Sequence, residues 1–177
     1  GLGDVYKRQL KNLVYENPIQ KNAGLDVYEV PIKDHNYLIT VDVARGLGND
    51  YSAFIVFDIT NFPYKAVAKY RNNEIKPMLF PSIIDDLGKA YNKAFILCEV
   101  NDIGDQVASI LNYDLEYDNL LMCSQRGRAG QVVGAGFSGK RSQLGVRTTQ
   151  AVKKLGCSNL KTLLEDDKIC LLYTSDA

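Results

Sequence analysis

The sequence predicts an α/β domain: a mixed five-stranded sheet in the order 3-2-1-4-5, with strand 2 antiparallel and helices on its flanks. Three observations predict it. Three runs rich in β-formers, 37–43, 52–59 and 65–71, follow one another across short polar connections. Apolar spacing then switches to that of a helix over about 77–92. Two more apolar runs, 94–100 and 119–124, are separated by a second helical pattern.

Each element follows from its residues. Residues 37–43 alternate, "SAFIVFDI" (52–59) is apolar and β-branched, and "KAVAKYR" (65–71) follows the turn signal Asn61-Phe62-Pro63. Runs joined this closely form an antiparallel meander, so strands one and three are parallel. In the next segment Leu79, Ile83, Leu87 and Tyr91 mark the apolar face of a helix, with Asp85, Asp86 and Lys89 on its surface. That crossover makes strand four, "AFILCEV" (94–100), parallel to strands one and three. Asn101 or Asp102 is placed to cap a helix whose apolar face is Ile103, Val107, Ile110 and Leu111. "NLLMCS" (119–124) is the fifth strand, and a Gly-rich loop follows. A helix is expected near 143–155, with Leu144, Thr148, Val152 and Leu155 on one side, and a short helix after Ser158.

The ends differ in character. "GLGDVYKRQ" (1–9) and "CLLYTSDA" (170–177) read as translated sequencing-adapter ends, and residues 10–30 as a linker or lead-in segment. The domain is therefore assigned to 31–169, and the natural chain is expected to continue past both ends.

Lys+Arg and Asp+Glu both number 21, yet Ser124 to Ser158 contains no acid and holds seven of the fourteen glycines. Arg126, Arg128, Lys140, Arg141 and Arg147 in this stretch suit a polyanion, or else a solvated loop and helix face. The four cysteines form no CxxC pair and His35 is the only histidine, which argues against a Cys/His zinc site. Cys98 and Cys123 read as core thiols of a reduced protein. No run has the length of a membrane span, and no secretory signal is visible.

Two acids stand out. Asp42 ends strand one and Glu99 ends strand four. Strand four can pair with strand three or with strand one, and the sequence alone leaves both open. Pairing with strand one, at a strand spacing of about 4.8 Å, brings the two carboxylates together where the strand order reverses. Such a pair repels unless a proton or cation intervenes, and oxygen-only ligation favours Mg2+ or Mn2+. Carboxylate-held divalent ions are an apparatus of phosphodiester cleavage. Asp50, opening strand two, is read as a loop cap or as an assisting metal ligand.

"VDVARGLGNDYSAFIVFDI", "YRNNEIKPMLFPSII" and "CEVNDIGDQVASIL", in that order, resemble the nuclease domain of tailed-bacteriophage large terminases, which package viral DNA into a preformed capsid. The resemblance runs from about Val30 to Asp167. It implies a ribonuclease-H-like fold and a two-metal-ion endonuclease that cuts concatemeric viral DNA. Asp42 and Glu99 match the family's catalytic, metal-ligating acids on the first and fourth strands. A third aspartate, from a downstream acidic motif, has no counterpart, because Asp166 and Asp167 come too early and in the wrong context. The basic residues named above become candidate DNA contacts. The resemblance also implies double-stranded DNA, a portal protein and a small terminase subunit as partners, an N-terminal ATPase on the parent chain, and the host cytoplasm as setting.

Other nucleotide motifs fail. Gly134, Gly139 and Lys140 approach a phosphate-binding loop, but Arg141 stands where Ser or Thr is needed. "RGLGND" lacks the third glycine of a dinucleotide fingerprint. Two rivals remain: a junction-resolvase-like nuclease of the same fold, and a non-catalytic DNA-binding or portal-docking module.

Overall fold

Alternation along the strands sets the two faces of the sheet. Tyr37, Ile39 and Val41 are buried on the first predicted strand, as are Ser52, Phe54 and Val56 on the second and Ile96 and Cys98 on the fourth. The intervening residues, which include Asp42 and Glu99, belong to the other face. The computed structural model describes residues 13–125, 131–135 and 142–173.

In chain order the elements are β1 (Leu13–Tyr15), β2 (Gln20–Asn22), β3 (Leu25–Val27), β4 (Tyr37–Asp42), β5 (Ser52–Asp58), β6 (Tyr64–Asn72) and helix α1 (Phe80–Ala90). Then come β7 (Phe95–Cys98), α2 (Gly104–Ser109, running on into a π turn, Ile110–Asp114), β8 (Leu121–Gln125), β9 (Gln131–Ala135), β10 (Ser142–Gln143), α3 (Gln150–Glu165) and β11 (Ile169–Tyr173).

The main sheet runs β1-β11-β6-β5-β4-β7, with the β2–β3 hairpin also laid on β6. β4 pairs antiparallel with β5 and parallel with β7. The predicted strands one to four are thus β4, β5, β6 and β7, in the predicted order 3-2-1-4. The fifth, β8, joins β7 through a single parallel bridge, Ile96 to Leu120, and then leaves to form a three-stranded antiparallel sheet, β10-β8-β9.

Helices α1 and α2 cover one face. Phe80 stacks on Phe54 and Tyr70 at centroid distances of 6.0 and 5.6 Å, fixing the start of α1 to the sheet. Such aromatic pairs add about 0.5–1.5 kcal/mol each beyond simple burial. Tyr91, Val107 and Leu111 complete this core, and Cys98 and Cys123 are both buried in it or at its edge. Burial pushes the Cys98 thiol up to about 12, so it stays protonated and unreactive.

Several expectations need correction. The buried stripe of α1 is Phe80, Ile84 and Gly88, continuing to Tyr91, rather than one led by Leu79, which is exposed. Asp85, expected on the surface, is buried and bonded to Lys89 at 2.7 Å. Tyr117 packs against this side of the helix, its hydroxyl 2.3 Å from where a Cβ on Gly88 would fall. Neither Asn101 nor Asp102 caps α2, whose N-cap position is Ile103, with no side-chain cap bond.

The helix expected at 143–155 and the short one after Ser158 are one helix, α3, capped by Thr149, whose hydroxyl accepts a bond from the Val152 N–H at 3.2 Å. Leu144 is instead a core residue ahead of it, and Leu155 is exposed. The Gly-rich stretch read as a loop contains strands β9 and β10. Residues 13–15, 20–22 and 25–27, within the expected linker, are short strands, and β11 extends from Ile169 into the segment set apart on composition. Among the described residues no helix is long and apolar enough to cross a membrane.

Candidate metal and nuclease site

Register brings the two acids together. β4 and β7 pair Leu38 with Phe95, Thr40 with Leu97 and Val41 with Cys98, so Asp42 and Glu99 are the next pair. The Glu99 N–H donates to the Val41 carbonyl at 2.9 Å, continuing the ladder past the end of β7. Both side chains leave the face opposite α1 and α2, at the C-terminal ends of two parallel strands.

The two carboxyls are electrostatically coupled. Burial raises Asp42 above the ordinary carboxylate range; the charge of Glu99 and a hydrogen bond between the two carboxyls raise it further, and Asp50 adds a weaker push in the same direction. The Val43 N–H opposes this by stabilising the anion. Two acids this close repel, and a cation of suitable size between them would relieve that repulsion.

Neighbouring segments hold the pair in place. The Asn101 side-chain N–H donates to Glu99 Oε1 at 2.8 Å and reaches the Thr148 carbonyl at 3.4 Å. Ser52, fully buried, accepts from the Ala44 N–H at 3.0 Å and donates back to the Ala44 carbonyl at 3.2 Å, fixing the chain just beyond Asp42. On the far side of β7, Val146 exchanges backbone bonds with the strand: its N–H donates to the Cys98 carbonyl at 2.8 Å and its carbonyl accepts from the Val100 N–H at 2.9 Å. Gly145 makes this approach possible. It has φ +151°, and a Cβ there would lie 2.2 Å from the Cys98 carbonyl oxygen. Gly104 does the same for the start of α2, where a Cβ would lie 1.9 Å from the Glu99 carbonyl oxygen.

Two cavities meet at Asp42. One, of about 460 Å3, is lined by Thr40, Asp42, Ile55, Leu97, Glu99 and Thr148 among others. The other, of about 560 Å3, is lined by Asp42, Arg45, Asn49, Asp50, Tyr51 and Asp102 among others. Asp50 thus borders Asp42's second cavity rather than the paired carboxyls. Among the described residues no group of three or more His, Cys, Asp or Glu side chains could hold a metal ion. His35 lies at the opposite end of the sheet, with Nδ1 2.6 Å from Asp58 Oδ2.

Of the basic candidates, Arg147 is exposed in the segment that follows Val146, its backbone held at both N–H and carbonyl by Gln131 at 2.9 and 2.7 Å. Arg126, Arg128, Lys140 and Arg141 lie outside the described residues.

Sequence reasoning missed Asn101 as a partner of Glu99, having read it as a cap. The Glu-x-Asn spacing at a strand end was the available signal. Replacing Asn101 by Ala should let the Glu99 carboxyl rotate, weakening divalent-ion affinity about tenfold or more, as loss of outer-shell partners does. Calorimetric Mn2+ titration checks this, with unchanged circular dichroism expected.

The fold has counterparts among solved structures. The large terminase nuclease of the thermophilic phage G20c, solved with bound magnesium, superposes with a TM-score of 0.67 at 19% identity, covering 95% of this chain and 72% of that one. The same nuclease solved with bound cobalt gives 0.65 at 22% identity, covering 93% and 71%. The large terminase nuclease domain of Thermus phage P74-26 gives 0.62 at 21% identity, covering 95% and 70%. The sequence profile of the terminase RNaseH-like domain matches residues 39–175. With most of its length inside that match, from β4 through β11, the chain belongs to the terminase RNaseH-like domain family.

Proposed function

We propose that this chain is a divalent-metal-dependent DNA endonuclease domain of a phage packaging terminase, and that its parent cuts concatemeric viral DNA. The observation that carries the reading is the register-matched, electrostatically coupled pair Asp42 and Glu99 in a chain of this family.

The donor set fits a hard cation: two carboxylates, backbone and hydroxyl oxygens nearby, and no thiolate or imidazole at the pair. Mg2+ keeps several waters and is commonly bound through one or two carboxylates plus substrate phosphate. Asp42 and Glu99 would hold the ion, with Mg2+ or Mn2+ preferred, and a second ion would draw on Asp50, substrate oxygens or residues outside those described. Bound there, such ions supply the Lewis acidity that phosphodiester hydrolysis requires. The chain's own contribution is positional. Asn101 orients Glu99, Ser52 anchors the segment after Asp42, and the backbone around Val146 steadies β7 from its other edge.

Arg147, with Arg126, Arg128, Lys140 and Arg141, would grip duplex phosphates without reading sequence. The parent's ATPase, a portal protein and a small terminase subunit complete the proposed assembly, working in the host cytoplasm.

Cleavage of linear duplex against a four-way junction, with and without Mn2+, tests the function. Metal-dependent cutting of linear duplex at many sequences is expected. Preference for the junction supports a resolvase-like enzyme instead. Duplex binding without metal-dependent cutting by the parent protein supports a docking module.

A further inference from the structure

Asp42 and Glu99 are each followed, three residues later, by a charged residue: Arg45 after Asp42 and Asp102 after Glu99. These two meet in a forked pair, with Arg45 Nε donating to Asp102 Oδ2 at 2.9 Å and Nη2 to Oδ1 at 2.8 Å. The pair ties together the loops that leave β4 and β7. It lies beside the acids, since Arg45 and Asp102 line the same cavity of about 560 Å3 as Asp42.

Both side chains remain largely exposed, at 64% and 61%. An ion pair so open to water contributes little to stability. Its geometry is nevertheless built. Asp102 adopts a left-handed backbone with φ +51°, which a residue with a Cβ enters at some cost and which is frequent at functional sites. Gly104, two residues on, is the position that lets this loop pack against the Glu99 carbonyl. The fork with Asp102 uses two of the five N–H donors of the guanidinium and leaves the others available to a ligand.

Resting on the nuclease reading, we infer that Arg45, oriented by Asp102, contacts a backbone phosphate of the DNA strand lying at the acid pair. The ligand chemistry follows from what surrounds it. Asp42, Asp50 and Asp102 line this cavity and repel an anion, and Arg45 is the cation among its lining residues that can offset them beside any metal. A planar guanidinium already held by a carboxylate is pre-oriented for a tetrahedral oxyanion and loses little freedom on binding. Tyr51, on the same cavity wall, lies under the guanidinium of Arg71 at 4.1 Å, so a second cation stands at this rim.

The test is a salt titration of duplex affinity, followed by fluorescence anisotropy of a short fluorescein-labelled duplex in Ca2+. Arg45→Ala should weaken binding about tenfold or more and reduce the slope of log affinity against log salt by about 0.9, the share of one phosphate. Arg45→Lys should keep the slope, because the charge remains, while recovering only part of the affinity, because the fork is lost. Arg45→Ala with wild-type slope and affinity overturns the assignment while leaving the nuclease reading standing. A wild-type chain with no duplex affinity overturns both. Because Arg45 is exposed, these variants keep the fold, and matching circular dichroism spectra verify it.

Discussion

Replacing Asp42 by asparagine is expected to abolish DNA cleavage by the parent enzyme while making the metal-free domain more stable at neutral pH. The loss of activity follows if Asp42 is one of two carboxylates that jointly hold the ion, as proposed: a fall of at least about a thousandfold, or ~4 kcal/mol of transition-state stabilisation. The gain in stability follows from the pair itself. Burial, then the neighbouring Glu99, raises the Asp42 pKa in the folded state, so folding disfavours its ionised form. The resulting penalty is absent below the ordinary carboxylate pKa, grows as pH rises toward the raised value, and is full above it. The neutral amide of the Asp42→Asn variant carries no such charge, so its advantage in melting temperature should grow over the same interval and level off beyond it.

Metal reverses the order. A divalent ion competes with the proton on Asp42, so wild-type metal affinity should fall as pH drops through the raised pKa. Saturating Mn2+ should then stabilise wild type and leave Asp42→Asn unmoved. Melting curves across pH, with and without Mn2+, measure each part. A variant that melts below wild type at neutral pH without metal contradicts the account of the pair.

Alanine at Gly145 should be the most damaging small substitution near the site. The added Cβ would sit 2.2 Å from the Cys98 carbonyl oxygen, and φ +151° is poorly tolerated by any residue with a side chain. Overpacking of this kind costs about 1–3 kcal/mol and backbone strain a comparable amount, so a loss of about 3 kcal/mol or more is expected. The functional effect should exceed the loss of stability. Relief of the clash requires Val146 to leave β7, which frees Thr148 from its place over Asn101 and Glu99. Denaturant unfolding reports the first effect, and Mn2+ affinity of the folded fraction the second. Gly134, which has nothing within 4 Å of an added Cβ, is the control, and its alanine variant should bind Mn2+ as wild type does.

The central sheet was legible because its signals are local. Alternation in β4 and β5 and the apolar run of β7 each name their buried face, and short turns leave one topology for the meander. The neighbourhood of Asp42 and Glu99 was legible at one remove, since it required choosing which strand β7 joins. That choice rested on the chemistry of two acids brought together where the strand order reverses, and the register from Leu38 to Val41 agrees with the pairing.

What escaped the sequence was long-range or a matter of small offsets. Glycines between Ser124 and Ser158 read as loop, yet β9 and β10 form because β8 supplies partners on both edges, from Gln131 to Ala135 and from Ser142 to Gln143. The buried side of α1 packs against Tyr117, whose hydroxyl donates to the Ala94 carbonyl at 2.7 Å, information carried 29 residues beyond Gly88. Gly156 lies within α3 where a break was expected; an exposed interior glycine costs a helix only about 1 kcal/mol, which its other residues offset. Arg45 and Asp102 are 57 positions apart, and no periodicity announces their pairing.

The proposed nuclease function depends on Asp42 and Glu99 gripping one hard cation between them. An anomalous difference map from crystals of this domain soaked in Mn2+ tests that most directly. The predicted result is a peak within about 2.3 Å of a carboxylate oxygen from each residue. A saturated crystal with its manganese elsewhere, or bound by only one of the two, would contradict it.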